Sequence, residues 1–291
     1  MNQIRSDGPS GLVPGISIRW LFGSPTVRIQ RWACEVSTRH VTSDRSQPWH
    51  VVGFVHSGAY EMRDRRGTSL HDPTRVSFFN AGATYQTSHP AGLGDRGSSL
   101  LIEPQALREM IALYDPSVEE HPEVPFHFAQ APISGAALLR YRILLRESES
   151  PARVDPMELE EESLALTHTI IRQVYGAGRA ADSPLCLVAI RRRVVEAARA
   201  FLIAGFSRVC RLTDVARAAG VSSFHLCRIF KSEVGCTVHA YLNSLRLRAA
   251  LDQLPDRKGD LSALASDVGY SSHSHFTRAF RREFGVSPSS L

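Results

Sequence analysis

One pattern is written twice near the end of this 291-residue chain, and nothing else in the sequence constrains the fold as tightly. The first copy runs Leu212-Thr213-Asp214-Val215-Ala216, Gly220-Val221-Ser222-Ser223, Arg228-Ile229-Phe230-Lys231, then Glu233 and Gly235. The second runs Leu261-Ser262-Ala263-Leu264-Ala265, Gly269-Tyr270-Ser271-Ser272, Arg278-Ala279-Phe280-Arg281, then Glu283 and Gly285. The copies are offset by 49 residues before the turn and 50 after it, so the second turn holds one extra residue. A pattern repeated in this way is one supersecondary unit used twice.

Each copy reads physically as helix, tight turn, helix. Leu212, Val215 and Ala216 give a short first helix its buried stripe, as Leu261, Leu264 and Ala265 do in the second copy. Gly220 and Gly269 stand where the chain leaves that helix, a position that favours a residue tolerating positive φ. Ser222 in one copy, and Ser271 or Ser272 in the other, can accept hydrogen bonds from the free N–H groups that open the next helix. Leu226 with Phe230, and Phe276 with Phe280, are i, i+4 apolar pairs for its core face, and Gly235 and Gly285 end it. A joining helix opens at Thr237 and carries Val238, Leu242, Leu245 and Ala249 to about Leu254. At ~1.5 Å per residue it spans roughly 27 Å. That is the scale needed to set two recognition helices about one DNA turn, ~34 Å, apart.

Charge separates this tail from the rest. Residues 185–291 hold 16 Lys and Arg against 8 Asp and Glu, a net +8, whereas the residues before them net −3. A basic tail on a near-neutral head points to a polyanionic partner. The tail's first helix carries Ile190, Val194, Ala197 and Phe201 as its expected apolar stripe, with Arg191, Arg192 and Arg193 beside it. Five scattered cysteines without a CxxC pair exclude a disulfide framework and zinc-finger spacing. The first residues lack a signal peptide's apolar core, and no apolar run reaches the length of a membrane span, so the expected location is cytoplasmic.

At this point the stretch from about Leu187 to Leu291 resembles the DNA-binding domain of the AraC/XylS family of regulators. The run from Gly269-Tyr270-Ser271-Ser272 through Phe276, Arg278, Phe280 and Phe284-Gly285-Val286-Ser287-Pro288 is similar to that family's hallmark almost throughout, the extra turn residue included. One departure is that the chain stops at Leu291, just after Ser287 and Pro288 cap and start a last helix that the family usually continues. The resemblance implies DNA contacts from Phe224, His225, Cys227 and Arg228 on the first recognition helix. On the second it implies Ser272, His273, Ser274, Thr277 and Arg278. Arg228 and Arg278 can each bond guanine O6 and N7 or clamp a phosphate, and Phe224 can press on a thymine methyl. Cys227 is a poor base reader. Arg191 to Arg193, Arg246, Arg248, Arg281 and Arg282 read as phosphate anchors or solvated charges.

The first half has a different texture. Short apolar segments, such as Val51-Val52-Gly53-Phe54-Val55 and Arg75-Val76-Ser77-Phe78-Phe79, alternate with Gly, Pro, Asn and Asp turns and indicate a β-sandwich or small barrel. Helical spacing follows from Pro104, with Leu107, Met110, Ile111 and Tyr114. Later stripes comprise Leu138, Tyr141 and Leu145, then Leu159, Leu166, Ile170 and Val174. They exceed what one small barrel needs to cover itself, so they are expected to pair two copies of the chain.

The fold class is therefore expected to be α+β: a cupin-like β-barrel with accessory helices, then an all-α domain with two helix-turn-helix motifs. Expected bounds are 1–175 for an effector-binding and dimerisation domain, 176–184 for a Gly/Ala linker, and 185–291 for the DNA-binding domain, with motifs at 212–235 and 261–285. The cupin-like reading comes from the resemblance and from the stretch Asp72 to Tyr85. Inward aromatic residues Trp49, Phe54, Tyr60, Phe78 and Tyr85 are the candidate effector contacts.

An enzymatic cupin would need His-x-His with a Glu and a further His. Tyr85 stands where that last His would be, and His40, His50, His56, His71 and His89 occur singly, so no metal, cofactor or catalytic residue is expected. His273-x-His275 lies on a helix, where i, i+2 residues do not face together. The expected function is a sequence-specific transcription regulator answering a small-molecule effector. Its expected partners are double-stranded DNA, that effector, a second copy of the chain and RNA polymerase. The alternatives are a metal-dependent cupin enzyme fused to a DNA-binding tail, and an architectural DNA bender without a sensor.

Overall fold

Alternation along the strands decides how the first half is layered. The computed structural model describes residues 15–35, 46–89, 94–149, 155–176, 185–257 and 259–291. Among them the strands are β1 (Ile16–Gly23), β2 (Val27–Cys34), β3 (His50–Ser57), β4 (Tyr60–Asp64), β5 (Gly67–His71), β6 (Arg75–Phe79), β7 (Gln86–Ser88), β8 (Asp95–Ile102) and β9 (Gln130–Pro132). An antiparallel sheet has the order β1-β2-β8-β3-β6-β9, and a smaller one the order β5-β4-β7. On β3, Val52 and Phe54 join the large hydrophobic core, while Val51, Gly53 and Val55 face the smaller sheet. The large sheet is thus covered on both faces, which is why β3 reads as a continuous apolar run.

Three helices cover the outer face of the large sheet: α1 (Pro104–Ala112), α2 (Gly135–Ser148) and α3 (Pro156–Tyr175). Pro104 opens α1 as expected, and the Glu103 carboxylate caps it by accepting from the Ala106 N–H at 2.9 Å. Here the expectation for the two apolar stripes is corrected. Leu138, Tyr141, Leu145, Leu159, Leu166 and Ile170 are all buried within one chain, with Val174 half-buried against the same core. Tyr141 stacks on Phe54 with ring centroids 3.6 Å apart. These helices have to roof a sheet face and also receive the helical region, so they consume more apolar surface than a barrel alone requires.

The helical region contains α4 (Leu185–Gly205), α5 (Leu212–Ala218), α6 (Ser223–Val234), α7 (Val238–Gln253), α8 (Leu261–Asp267) and α9 (His273–Phe284). Of the expected linker only Gly176 is described, as the C-cap of α3; the rest lies outside the described residues. The stripe assigned to α4 is also corrected. Ile190 and Phe201 are exposed, and the buried face is Val194, Val195, Ala198 and Leu202. The helix is rotated because Arg199 shares this inward face and finds a buried carboxylate there.

That carboxylate is Asp72, just after β5. Arg199 Nε donates to Asp72 Oδ2 at 2.9 Å and its Nη2 to the Leu70 carbonyl at 2.9 Å, while the Tyr241 hydroxyl of α7 donates to the same carboxylate. Nearby, Arg248 of α7 donates to the carbonyls of Pro73 and Ile133, at 3.0 and 3.5 Å. Burial alone would push the Asp72 carboxyl up, but Arg199 and hydrogen bonds from Thr74 and Tyr241 outweigh it and hold the group below its usual range. The α7 helix therefore does more than space two motifs. Its first half packs with the first motif, and Leu247, Ala250 and Leu251 join the core that contains the large sheet and the second motif.

Four outcomes are expected from this packing. Arg199→Met strands the Asp72 charge and should lower the unfolding free energy by roughly 3–5 kcal/mol in urea titration, whereas adding Asp72→Leu should recover most of the loss. Gly220→Ala should cost about 1–2 kcal/mol from backbone handedness alone. Gly269→Ala should cost more, because its Cβ would lie 2.8 Å from the Ser207 carbonyl oxygen and 2.9 Å from Arg246 Nε. Burial lowers His50 to about 4 and His71 to about 3, and it lowers His56 as well. Their stabilisation is present above the ordinary value of 6.5 and is lost as pH falls below it, so thermal midpoints should drop between pH 6.5 and 4.

Candidate nucleic-acid interface

The two repeat copies build the same local geometry. The α5 helix ends at Ala218, the chain turns through Gly220 at φ +69°, and Ser222 caps α6 by accepting from the His225 N–H at 3.2 Å. The α8 helix ends at Asp267, the chain turns through Gly269 at φ +91°, and Ser272 caps α9 by accepting from the His275 N–H at 3.2 Å. The Val221 N–H bonds the Ala216 carbonyl in one turn, and the Tyr270 N–H bonds Ala265 in the other. Ser271 is therefore the inserted residue, which settles the cap on Ser272. Gly235 and Gly285, at φ +83° and +81°, close α6 and α9 by donating to the Lys231 and Arg281 carbonyls.

Burial of the apolar face fixes what each helix shows to solvent. Leu226 and Phe230 are fully buried on α6, as are Phe276 and Phe280 on α9. The opposite face of α6 exposes Phe224, His225, Cys227 and Arg228, and Phe224 is 79% exposed. On α9, Ser272, His273, Ser274 and Arg278 are exposed, and Thr277 is half-buried with its hydroxyl 3.4 Å from His273 Nε2. Among the described residues Arg228 and Arg278 make no ion pair, so both guanidinium forks remain available. His275 turns away from His273 and packs edge-on against Tyr270, 5.3 Å between ring centroids.

The supporting arginines divide into two groups. Arg192, Arg193, Arg281 and Arg282 are exposed, and Arg191 lies 3.8 Å from Glu233. Arg246 and Arg248, by contrast, are corrected from phosphate anchors to internal braces. Arg246 donates to the Phe206 and Arg208 carbonyls at 2.8 and 3.0 Å, and Arg248 is buried between the helical and β regions. Their i, i+2 spacing on an amphipathic helix gave no signal of this, because a basic side chain on α7 reads alike whether its partner is phosphate or a distant carbonyl.

A cavity of about 80 Å³ lies between the two sheets. Of the candidate effector contacts, Tyr60 and Tyr85 line it. The other three candidates do not. Phe54 and Phe78 face the helices because they share the parity of Val52 and Val76, and Trp49 lies before β3 with the Arg28 guanidinium 4.4 Å from its ring centroid. Polar groups also reach the cavity, among them Gln30, Cys34, His89 and Asp95. The residues that do line it on β2 and β8 follow from strand parity once the pairing is known.

Comparison with known proteins agrees with the geometry. Residues 215–291 match the family of the helix-turn-helix domain. The HTH-type transcriptional regulator MtrA of Neisseria gonorrhoeae is 39% identical over 71 residues, 24% of this chain and 24% of its own length. The probable transcription factor PqrA of Proteus vulgaris is 35% identical over 78 residues, 27% of this chain and 64% of its own. The chain thus spans less than two thirds of either relative. A solved transcriptional regulator from Chromobacterium violaceum, described as containing an AraC-type DNA-binding domain, is similar at 26% identity and a TM-score of 0.33, covering 35% of this chain and 91% of that one. Residues 215–291 of this chain are a helix-turn-helix domain, and its two motifs keep the resemblance to the AraC/XylS type.

Proposed function

We propose that the chain is a sequence-specific transcription regulator that lays α6 and α9 in successive major-groove segments of double-stranded DNA. One observation carries this reading: two capped helices each expose an arginine-bearing face while burying an apolar one. Arg228 and Arg278 read bases, with Phe224, His225, His273, Ser274 and Thr277 beside them. Ser272 contributes chiefly through its cap. Arg281, Arg282, Arg192 and Arg193 hold phosphates without regard to sequence.

In the same reading, residues 1–175 form the effector-binding domain, 176–184 the linker and 185–291 the DNA-binding domain. The inter-sheet cavity, with Tyr60 and Tyr85 in its wall, receives the effector. A second copy of the chain belongs to the reading through the family resemblance, and the exposed Ile18 and Trp20 on edge strand β1 supply apolar surface for it. RNA polymerase is the further partner of such a regulator. No helix among the described residues is long and apolar enough to cross a membrane, which supports a cytoplasmic site of action. A regulator is preferred over an enzyme because the relatives are described as regulators.

Titration of variants against an operator and a panel of single-base changes tests this assignment. Arg228→Ala should cost roughly 1–3 kcal/mol and relax preference at one base pair, and Arg278→Ala should do the same at another. Arg281→Ala should weaken all sequences alike and make the salt dependence shallower by about one unit of slope. Uniform weakening by Arg228→Ala would reduce that residue to a backbone anchor.

A further inference from the structure

We propose that Cys34, His89 and Asp95 form a binding site for a soft divalent transition-metal ion, with zinc as its type, at one end of the inter-sheet cavity. One ligand atom from each of the three lies within 4.8 Å of the others, and all three residues are buried. The backbone explains why they meet. Cys34 ends β2 and Asp95 begins β8, and the two are direct cross-strand partners in the large sheet. His89 follows β7 directly, so it comes from the smaller sheet and reaches Asp95 Oδ1 through Nε2. The site therefore joins the two sheets.

The corner is also built for close approach. A Cβ on Gly94 would sit 2.3 Å from the Cys34 carbonyl oxygen, and one on Gly58 would sit 2.0 Å from the Gly94 carbonyl oxygen. Gly94 thereby lets β8 start hard against the end of β2. Tetrahedral zinc holds its ligand atoms roughly 3.3–3.7 Å apart, so the observed triangle closes on an ion with shifts of about 1 Å.

The donor set selects the class of ion. A thiolate, an imidazole and a carboxylate suit zinc and its neighbours and do not suit magnesium or calcium. Charge balance favours it too: a thiolate and a carboxylate together cancel a divalent cation, leaving no net charge in a buried place. Metal binding at such a donor set releases protons, because each ligand atom must be deprotonated to reach the ion. Three protein ligands leave a fourth position facing the cavity, where Gln30, Thr87 and Ser99 can hold a water or a small ligand on the ion. The other described histidines of the β region are committed elsewhere, His50 to the Ala81 N–H, His56 to Ser98 and His71 to Ser77. The inference stands apart from the DNA-binding reading, since metal is measured on the protein alone.

The test uses the full chain, stripped with chelator and titrated with Zn2+ against a chromophoric competitor and with Co2+ by absorption. The wild type should retain one equivalent and develop a near-ultraviolet thiolate-to-cobalt band. Cys34→Ser should abolish the band, Asp95→Asn and His89→Gln should weaken Zn2+ binding by about tenfold or more, and Cys210→Ser should leave both unchanged. Failure of the wild type to retain metal, or a band that persists in Cys34→Ser, overturns the site and leaves the three side chains as a structural hydrogen-bonded cluster. If Cys34→Ser loses its circular dichroism signal, the near-isosteric Asp95→Asn decides, and unchanged Zn2+ affinity in that variant overturns the site.

Discussion

A single buried carboxylate organises the way this chain is assembled. Asp72 leaves the β region and receives Arg199 from α4 and Tyr241 from α7 on one carboxylate oxygen, Oδ2, so three distant segments converge on a single atom. Such a charge is tolerated in the interior only when it is paired and fully hydrogen-bonded, because desolvation costs several kcal/mol per ion. The geometry it demands fixes the rotation of α4 and the seating of α7. Leu70, beside it, joins the core of the first motif. A hydrophobic contact would permit sliding; a carboxylate shared by a guanidinium and a phenol does not.

From that anchor the two motifs acquire different surroundings. The first packs with α4 and the front of α7 in its own core, whereas the second shares a continuous core with α2, α3 and the large sheet. Gly135 at the start of α2 lies so close to α9 that an added Cβ would sit 2.0 Å from the Glu283 carbonyl oxygen. Arg142 of α2 meets Asp252 of α7 at 2.9 Å. Any rearrangement of the sheets that shifts α2 is thus mechanically connected to α9. The contact runs through packed side chains and leaves α2 and α9 few alternative arrangements.

Much of the helical region was legible because its signals are local. Glycine at positive φ, serine before a helix and i, i+4 apolar pairs each act within a few residues, so the repeat could be read down to its one-residue insertion, though not to which serine caps α9. The signals that failed are long-range. Arg199 lies 127 residues from Asp72, and Arg248 lies 175 residues from Pro73, so neither pairing leaves a trace in periodicity. The apolar stripes of α2 and α3 were recognised as stripes, but a pattern of leucines does not say whether the surface it meets belongs to the same chain. Parity separated Tyr60 and Tyr85 from Phe54 and Phe78, and parity depends on register, which is fixed by pairing across the sheet. Cys34, His89 and Asp95 left no local signal for the same reason, since they are far apart in sequence and meet only through the pairing of β2 with β8 and the approach of the smaller sheet.

The claim on which the rest depends is that α6 and α9 act together as rigidly spaced readers of one DNA face. Hydroxyl-radical and methylation footprinting of the full chain on its operator measures this directly. The account predicts two protected major-groove segments about 10 base pairs apart on the same face of the duplex, with both lost together as salt is raised. Diffuse protection along the fragment, or protection of one segment alone, would contradict it.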